Sequence, residues 1–228
     1  MASHLAAVRP HGSGQRTGLI PVLAVLIAAS LAACAGNAPD AGPAVRPQGP
    51  VEIRGAGELT GFPAQVGRFQ RVGVLSYPPS ERDFSVAYNI TDPRFPVSST
   101  IYIFAAEEIR PASSRSLETH FSDTIGTIVY FHRDAELLDN GPARLRQGGV
   151  PVEGLRAVLA YEETFAGSRR RLGSELYLFR RGAYFVKFRH SYPLENRQSV
   201  QPELIRLMEA LDWSDAGRAL AVLANWSL

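Results

Sequence analysis

A single cysteine, Cys34, stands among the 228 residues, so no disulfide can form within the chain. Lysine is almost missing: Lys187 is the only one, and arginine supplies the other basic side chains. That usage reads as the codon bias of a GC-rich genome rather than as selection for guanidinium chemistry. No acidic residue precedes Cys34, whereas Arg9 and Arg16 do. Removing the stretch before Cys34 leaves 22 basic and 22 acidic side chains, a balance that argues against nucleic acid as a partner. The longest apolar run, Leu19 to Ala29, is short for a bilayer-spanning helix, which needs about 20 residues.

Motifs that carry chemistry are missing too. There is no His-Glu-x-x-His and no cysteine pair, so no metal site is expected. No serine lies in Gly-x-Ser-x-Gly, so the hydrolase elbow is absent. Gly55-Ala56-Gly57 precedes the first clear strand instead of following one, and is no dinucleotide loop. No cofactor is implied and no catalytic residue stands out. Glu162 and Glu163 are neighbours on an expected strand and face opposite sides, so they do not form a carboxylate pair.

What is present begins with an address. A polar segment carrying Arg9, His11 and Arg16 leads into the apolar run, then Ser30, then Leu31-Ala32-Ala33-Cys34. This is the anatomy of a secretory signal. The tetrapeptide resembles the lipobox of bacterial lipoproteins, and the resemblance covers residues 19–34. It implies that the Cys34 sulfur receives diacylglycerol, that the bond before Cys34 is cut, and that the new amino group is acylated, palmitate being a typical chain. Ala35 follows where an aspartate would imply retention at the inner membrane; the resemblance therefore implies the outer membrane, facing the periplasm. The alternatives are an uncleaved membrane anchor and ordinary signal cleavage after an Ala-x-Ala-like site. Several acyl chains, at about 0.8 kcal/mol per buried methylene, would anchor the chain permanently. Residues 34–50, rich in proline and small side chains, read as the lipidated terminus and a flexible linker.

Residues 51–214 read as one α+β domain. Phe69–Tyr77, Phe84–Ile90 and Ser99–Ala105 carry strand signals. A helix follows, capped by Ser113 or Ser114. Leu117, Phe121, Ile125, Ile128 and His132 line one face, and Asn140-Gly141-Pro142 ends it. Leu155–Glu163, Leu172–Arg180 and Tyr184–His190 form a meander, with a turn over Gly167–Arg171 and a tight hairpin at Arg181-Gly182. A last helix spans Gln201–Leu211, with Pro202 in its first turn. The expected order is three strands, helix, three strands, helix: an antiparallel sheet of about six strands packed with two main helices. Residues 215–228 read as a tail, a short helix burying Leu220, Leu223 and Trp226. The run Tyr184-Phe185-Val186-Lys187-Phe188-Arg189, then Tyr192-Pro193 and a terminal helix, resembles the PsbP and Mog1-like fold over about half of the domain. That resemblance implies a binding or assembly module more often than an enzyme, by analogy of fold.

Three histidines remain after the signal. His120 and Asp123 are helix neighbours, more simply a solvated face than a metal pair or an oriented base, since no third group joins them. His132 continues the apolar stripe as a core-edge residue. His190 ends a strand near Glu195, where an ordinary contact is simpler than an acid–base pair. Positive charge is denser than a neutral domain requires. Arg169, Arg170 and Arg171 form one cluster, Arg180 and Arg181 another at the far end of the same strand, and Lys187 and Arg189 share a strand face. These seven form a candidate anion-binding surface for lipid headgroups, lipopolysaccharide phosphates or an acidic envelope protein, against the simpler reading of a solvated hairpin with arginine stems over apolar surface. The whole reads as a lipid-anchored envelope lipoprotein that binds or helps assemble something without catalysis. The alternative is a hydrolase-like envelope enzyme whose site leaves no local signature.

Overall fold

A computed structural model describes residues 51–52, 61–77, 83–106 and 116–213. The signal segment, Cys34, the linker, Pro78-Pro79, Ser113, Ser114 and the tail from 215 lie outside the described residues. Among the described residues, no helix is long and apolar enough to cross a membrane.

The chain runs β1 (Val51–Glu52), β2 (Gln65–Val66), β3 (Phe69–Ser76), β4 (Phe84–Ile90), β5 (Val97–Ala105), α1 (Leu117–Phe131), β6 (Glu136–Gln147), β7 (Val150–Phe165), β8 (Ser168–Arg181), β9 (Tyr184–Pro193) and α2 (Arg197–Ala210). The strands form one antiparallel sheet in the order β1-β3-β4-β5-β9-β8-β7-β6, with β2 paired to β3. The α+β class and the two helices agree with expectation. The strand count does not: nine strands replace about six. Two of the additions, β1 and β2, are two residues long and carry no periodicity to read.

The third addition, β6, occupies residues expected to terminate α1. The helix stops earlier, at Phe131 with His132 as its C-cap. The Asp134 carboxylate then accepts the Glu162 N–H at 2.8 Å, tying the turn to β7. Asn140-Gly141-Pro142 lies inside β6, opposite Ala157, Arg156 and Leu155. Proline is tolerated there because β6 borders the sheet, where one side of the strand has no ladder to feed. The Arg146 N–H turns to the Glu209 carboxylate of α2 at 2.9 Å. At its start α1 is capped by Ser116, whose hydroxyl accepts the Thr119 N–H.

β7 and β8 are longer than the apolar pattern suggested. Their loop is Ala166-Gly167 alone, with φ of 49° and 82°. Positive φ at both positions matches the right-handed twist of a hairpin. Arg169, Arg170 and Arg171 therefore belong to β8 rather than to a turn, opposite Thr164, Glu163 and Glu162. Such acid–arginine pairs across a ladder extend it beyond its apolar part. The next hairpin turns on Gly182, φ 58°, as Arg181-Gly182 suggested. α2 starts one turn before Gln201, so Pro202 falls in its second turn. It leaves the Gln198 carbonyl without its helical N–H.

Strand alternation divides the sheet into two unlike faces. Beneath α2, an aromatic core joins Phe84, Tyr88, Phe179, Phe188 and Trp213 to Val200, Leu204, Leu207 and Met208. The Trp213 ring sits 5.1 Å from Phe179, and its Nε1–H donates to the Met208 carbonyl. A Cβ on Gly154 would stand 2.4 Å from both the Leu178 carbonyl and the Phe179 ring, so only glycine fits beneath that ring. Beneath α1, a smaller core joins Phe121 and Ile128 to Leu159, Tyr161, Leu172, Leu176, Leu178 and Phe185. The expected α1 stripe is the one that packs. That core lies over β7 and β8; its members from β5 and β9 are Phe104 and Phe185.

Candidate functional site

Reading the register across the α1 face puts Leu75, Ser85, Tyr102 and Lys187 in one row and Gly73, Ala87, Thr100 and Arg189 in the next. A third row holds Asn89, Ser98, Ser191 and Ser174. Most of these side chains are half-buried, with Ser85 and Ser174 fully so. A sheet face in mid-domain is ordinarily apolar, because unpaired polar groups there cost free energy. Here half of the twelve positions carry hydroxyls, beside one amide and two cations.

Lys187 reaches over aromatic rings. Its Nζ lies 4.5 Å from the centre of Tyr102 and 5.6 Å from that of Phe104. These cation–π contacts offset part of its desolvation. Burial, assisted by the charge of Arg189, lowers its pKa to about 8. Among the described residues no carboxylate pairs with it. Arg189 leans the other way, donating from Nη2 to the Ser174 hydroxyl at 3.1 Å, while its Nε is buried without a hydrogen-bond partner. The Tyr161 hydroxyl, on the same face, is also buried without one. Behind Tyr102, Tyr77 shares a 3.0 Å hydrogen bond with Ser85.

The seven cationic residues do not form one surface. Arg170, Arg180, Lys187 and Arg189 belong to the α1 face, and Arg169, Arg171 and Arg181 to the other. Ten residues of strand, about 34 Å at ~3.4 Å each, separate Arg170 from Arg180. Arg171 is paired with Glu136 and Arg169 lies 3.9 Å from Glu162. Arg170 donates to the Ser168 hydroxyl. Arg180 donates to the Gly182 carbonyl. Lys187 and Arg189 alone combine half-burial, a shared strand face and no ion pair.

The histidines are dispersed. His120 packs on the Phe185 and Phe104 rings, with centroids 5.1 and 5.2 Å away, and Asp123 is exposed. His132 stacks on Tyr161 at 3.7 Å. Burial lowers its pKa; Glu163 works against that shift and Arg189 adds to it. Along the helix His120 and His132 are about 18 Å apart at ~1.5 Å per residue. His190 is on the opposite face, and its acidic neighbour is Glu175, directly across from it on β8, rather than Glu195.

That opposite face holds a polar cluster with no signature in the sequence. Glu175 is fully buried in mid-strand. Its carboxylate accepts from Arg156 Nε at 3.1 Å, from the Tyr177 hydroxyl at 3.0 Å and from the Tyr192 hydroxyl. The Gln201 amide nitrogen adds a donor to Glu175 at 2.8 Å. Burial next to this carboxylate raises the pKa of both tyrosines. His190 Nδ1 and the Ser99 hydroxyl are 2.8 Å apart, and His190 Nε2 has no partner. Burial lowers the His190 pKa to about 4. Ser99, His190 and Glu175 come from adjacent strands and suggest a nucleophile, base and acid. All three are 0% exposed, so nothing in solution meets the Ser99 hydroxyl. A glutamate flanked by Ser174 and Leu176 would have been legible only as an interruption of an apolar run. Among the described residues, no group of three or more His, Cys, Asp or Glu side chains is placed to hold a metal ion.

No family model matches the chain, and no curated protein does. Among solved structures it is similar to a protein of unknown function, PA94, from Pseudomonas aeruginosa. The likeness has a TM-score of 0.41 at 10% identity and covers 64% of this chain and 96% of that one.

Proposed function

We propose that this is a lipid-anchored envelope lipoprotein, held by acyl chains on Cys34 at the periplasmic side of the outer membrane. Its α+β domain works as a non-catalytic binding or assembly module, taking an anionic group of an envelope component on the α1 face at Lys187 and Arg189. One observation carries the binding half of this reading: Lys187 is half-buried over aromatic rings, and among the described residues no carboxylate pairs with it. A desolvated cation without a partner costs stability, and functional sites commonly bear such a cost. The signal anatomy and the lipobox resemblance support the address. The PsbP and Mog1-like resemblance points towards binding too. The hydrolase-like alternative needs a reachable nucleophile, and the Ser99–His190 pair is enclosed.

Two measurements test the two halves separately. Intact mass of detergent-extracted protein should show Cys34 acylated, and a Cys34→Ser chain should leave the membrane fraction. If that variant still partitions with membranes at its normal processed mass, the anchor is wrong. For the surface, the Cys34→Ser chain is titrated with lipopolysaccharide and with vesicles containing phosphatidylglycerol. Lys187→Gln combined with Arg189→Gln should weaken binding to one of these about tenfold, while Arg169→Gln should leave it unchanged. Equal binding by both variants would refute the assignment.

A further inference from the structure

On the α2 side, away from Lys187, a cleft of about 620 Å³ opens where the first turns of α2 meet β6, β7 and β8. Its polar wall is made of Arg144, Arg156, Arg197, Gln198, Gln201 and Tyr177. Cavities of this size hold small molecules. The composition is one-sided. Three guanidiniums, two amides and a phenol face the space, while the carboxylates that neutralise the arginines, Glu153, Asp139 and Glu175, do not line it.

The arginines are held from behind. Arg156 gives Nε to the buried Glu175 and Nη1 to Asp139 at 2.9 Å, which fixes the plane of its guanidinium. Arg197 stands 3.7 Å from Asp139, too far for a hydrogen bond, and is about one-third exposed. Tyr177 and Gln201 are braced by the same buried carboxylate. The part of the donor wall braced by the buried Glu175, namely Arg156, Tyr177 and Gln201, is preorganised, so little ordering remains to be done there when a ligand arrives. The positive end of α2 adds to the same field.

We infer that this cleft binds a small organic carboxylate, its two oxygens held by Arg197 and Arg156 and its apolar body laid against Pro142, Ala143 and Ile205. A guanidinium fork matches the carboxylate plane. Three local acids already balance the three arginines, so one added negative charge is accommodated more readily than the two of a phosphate. The inference is independent of the reading of Lys187, which lies on the other face.

The test uses the Cys34→Ser chain and sodium hexanoate, followed by nuclear magnetic resonance shifts of the arginine side chains and by calorimetry. Saturable binding is expected, with shifts at Arg156 and Arg197. Arg197→Gln, at a position whose side chain makes no hydrogen bond among the described residues, should weaken hexanoate at least fivefold, and Lys187→Gln should leave it unchanged. Near-ultraviolet circular dichroism of each variant checks the fold. The inference fails if hexanoate does not saturate, if Arg197→Gln binds it equally, if inorganic phosphate competes more tightly than hexanoate, or if Lys187→Gln is the variant that loses it.

Discussion

Replacing Glu175 with alanine removes the acceptor at the centre of a buried polar network. Arg156 Nε, the Tyr177 hydroxyl, the Tyr192 hydroxyl and the Gln201 amide nitrogen all end on this carboxylate. No solvent replaces it, since Glu175 and Tyr192 are 0% exposed. Breaking a buried charge pair from one side costs about 3–5 kcal/mol, because the orphaned partner stays desolvated. That is a large share of the roughly 5–15 kcal/mol that holds a domain folded. With a urea slope of about 2 kcal/mol per molar, the unfolding midpoint should fall by about 1.5–2.5 M. Glu175→Gln keeps an acceptor oxygen and loses the charge, so it should cost less, about 1–3 kcal/mol. Glu175→Met with Arg156→Met removes both charges and should recover most of the loss. Equilibrium urea unfolding followed by fluorescence and circular dichroism measures all three. If Glu175→Ala shifts the midpoint no more than Glu153→Ala, whose side chain is exposed, or if the double methionine variant is no better than the single alanine, the network does not stabilise the fold in this way.

His190 predicts a pH dependence. Its folded pKa is lowered to about 4 by burial, below the unfolded value near 6.5, so between those values the unfolded chain binds the extra proton. Stability should rise with pH across that window, by roughly 3 kcal/mol at ~1.4 kcal/mol per unit. It should be fully present above about 6.5 and lost as pH falls towards 4. His190→Asn should flatten the urea midpoint over this range, and an unchanged slope would count against the assignment. Lys187 has a lowered pKa as well, at about 8. The unfolded chain again holds the extra proton, here between about pH 8 and the unfolded value near 10.4, so stability should rise with pH there. Lys187→Met should raise the thermal midpoint at pH 7 and remove that rise; a lowered midpoint would mean that the cation–π contacts outweigh desolvation.

Secondary structure was legible where burial is one-sided. The α1 stripe and the three early strands follow the period of the apolar side chains, which is the period of packing. Misreadings fell where another force decides. Asn140-Gly141-Pro142 reads as a helix stop by local propensity, yet the strand pairing of β6 overrides it. Arg169–Arg171 read as a turn because charge interrupts the apolar run, yet pairing with Glu162 and Glu163 carries the ladder on. The candidate surface was half legible: Lys187 and Arg189 share a face as period-two alternation requires, whereas the other five arginines are spread along both faces. Glu175 was illegible. Its partners come from β7, β9 and α2, up to 26 positions away in the chain, and long-range polar satisfaction leaves no local trace.

The border strand β6 has a consequence for behaviour at high concentration. An unprotected margin of a sheet invites lengthening by a neighbouring molecule, the first step towards fibres. Here Pro142 offers no N–H to an incoming strand, and the Arg146 N–H is already claimed by Glu209. With the register shift between Leu137 and Asp139, these obstacles interrupt the margin at three places along its 12 residues. Each break shortens the stretch that a second molecule crowded against this margin could lengthen, and removing Pro142 and the Glu209 carboxylate together should raise the tendency to associate there.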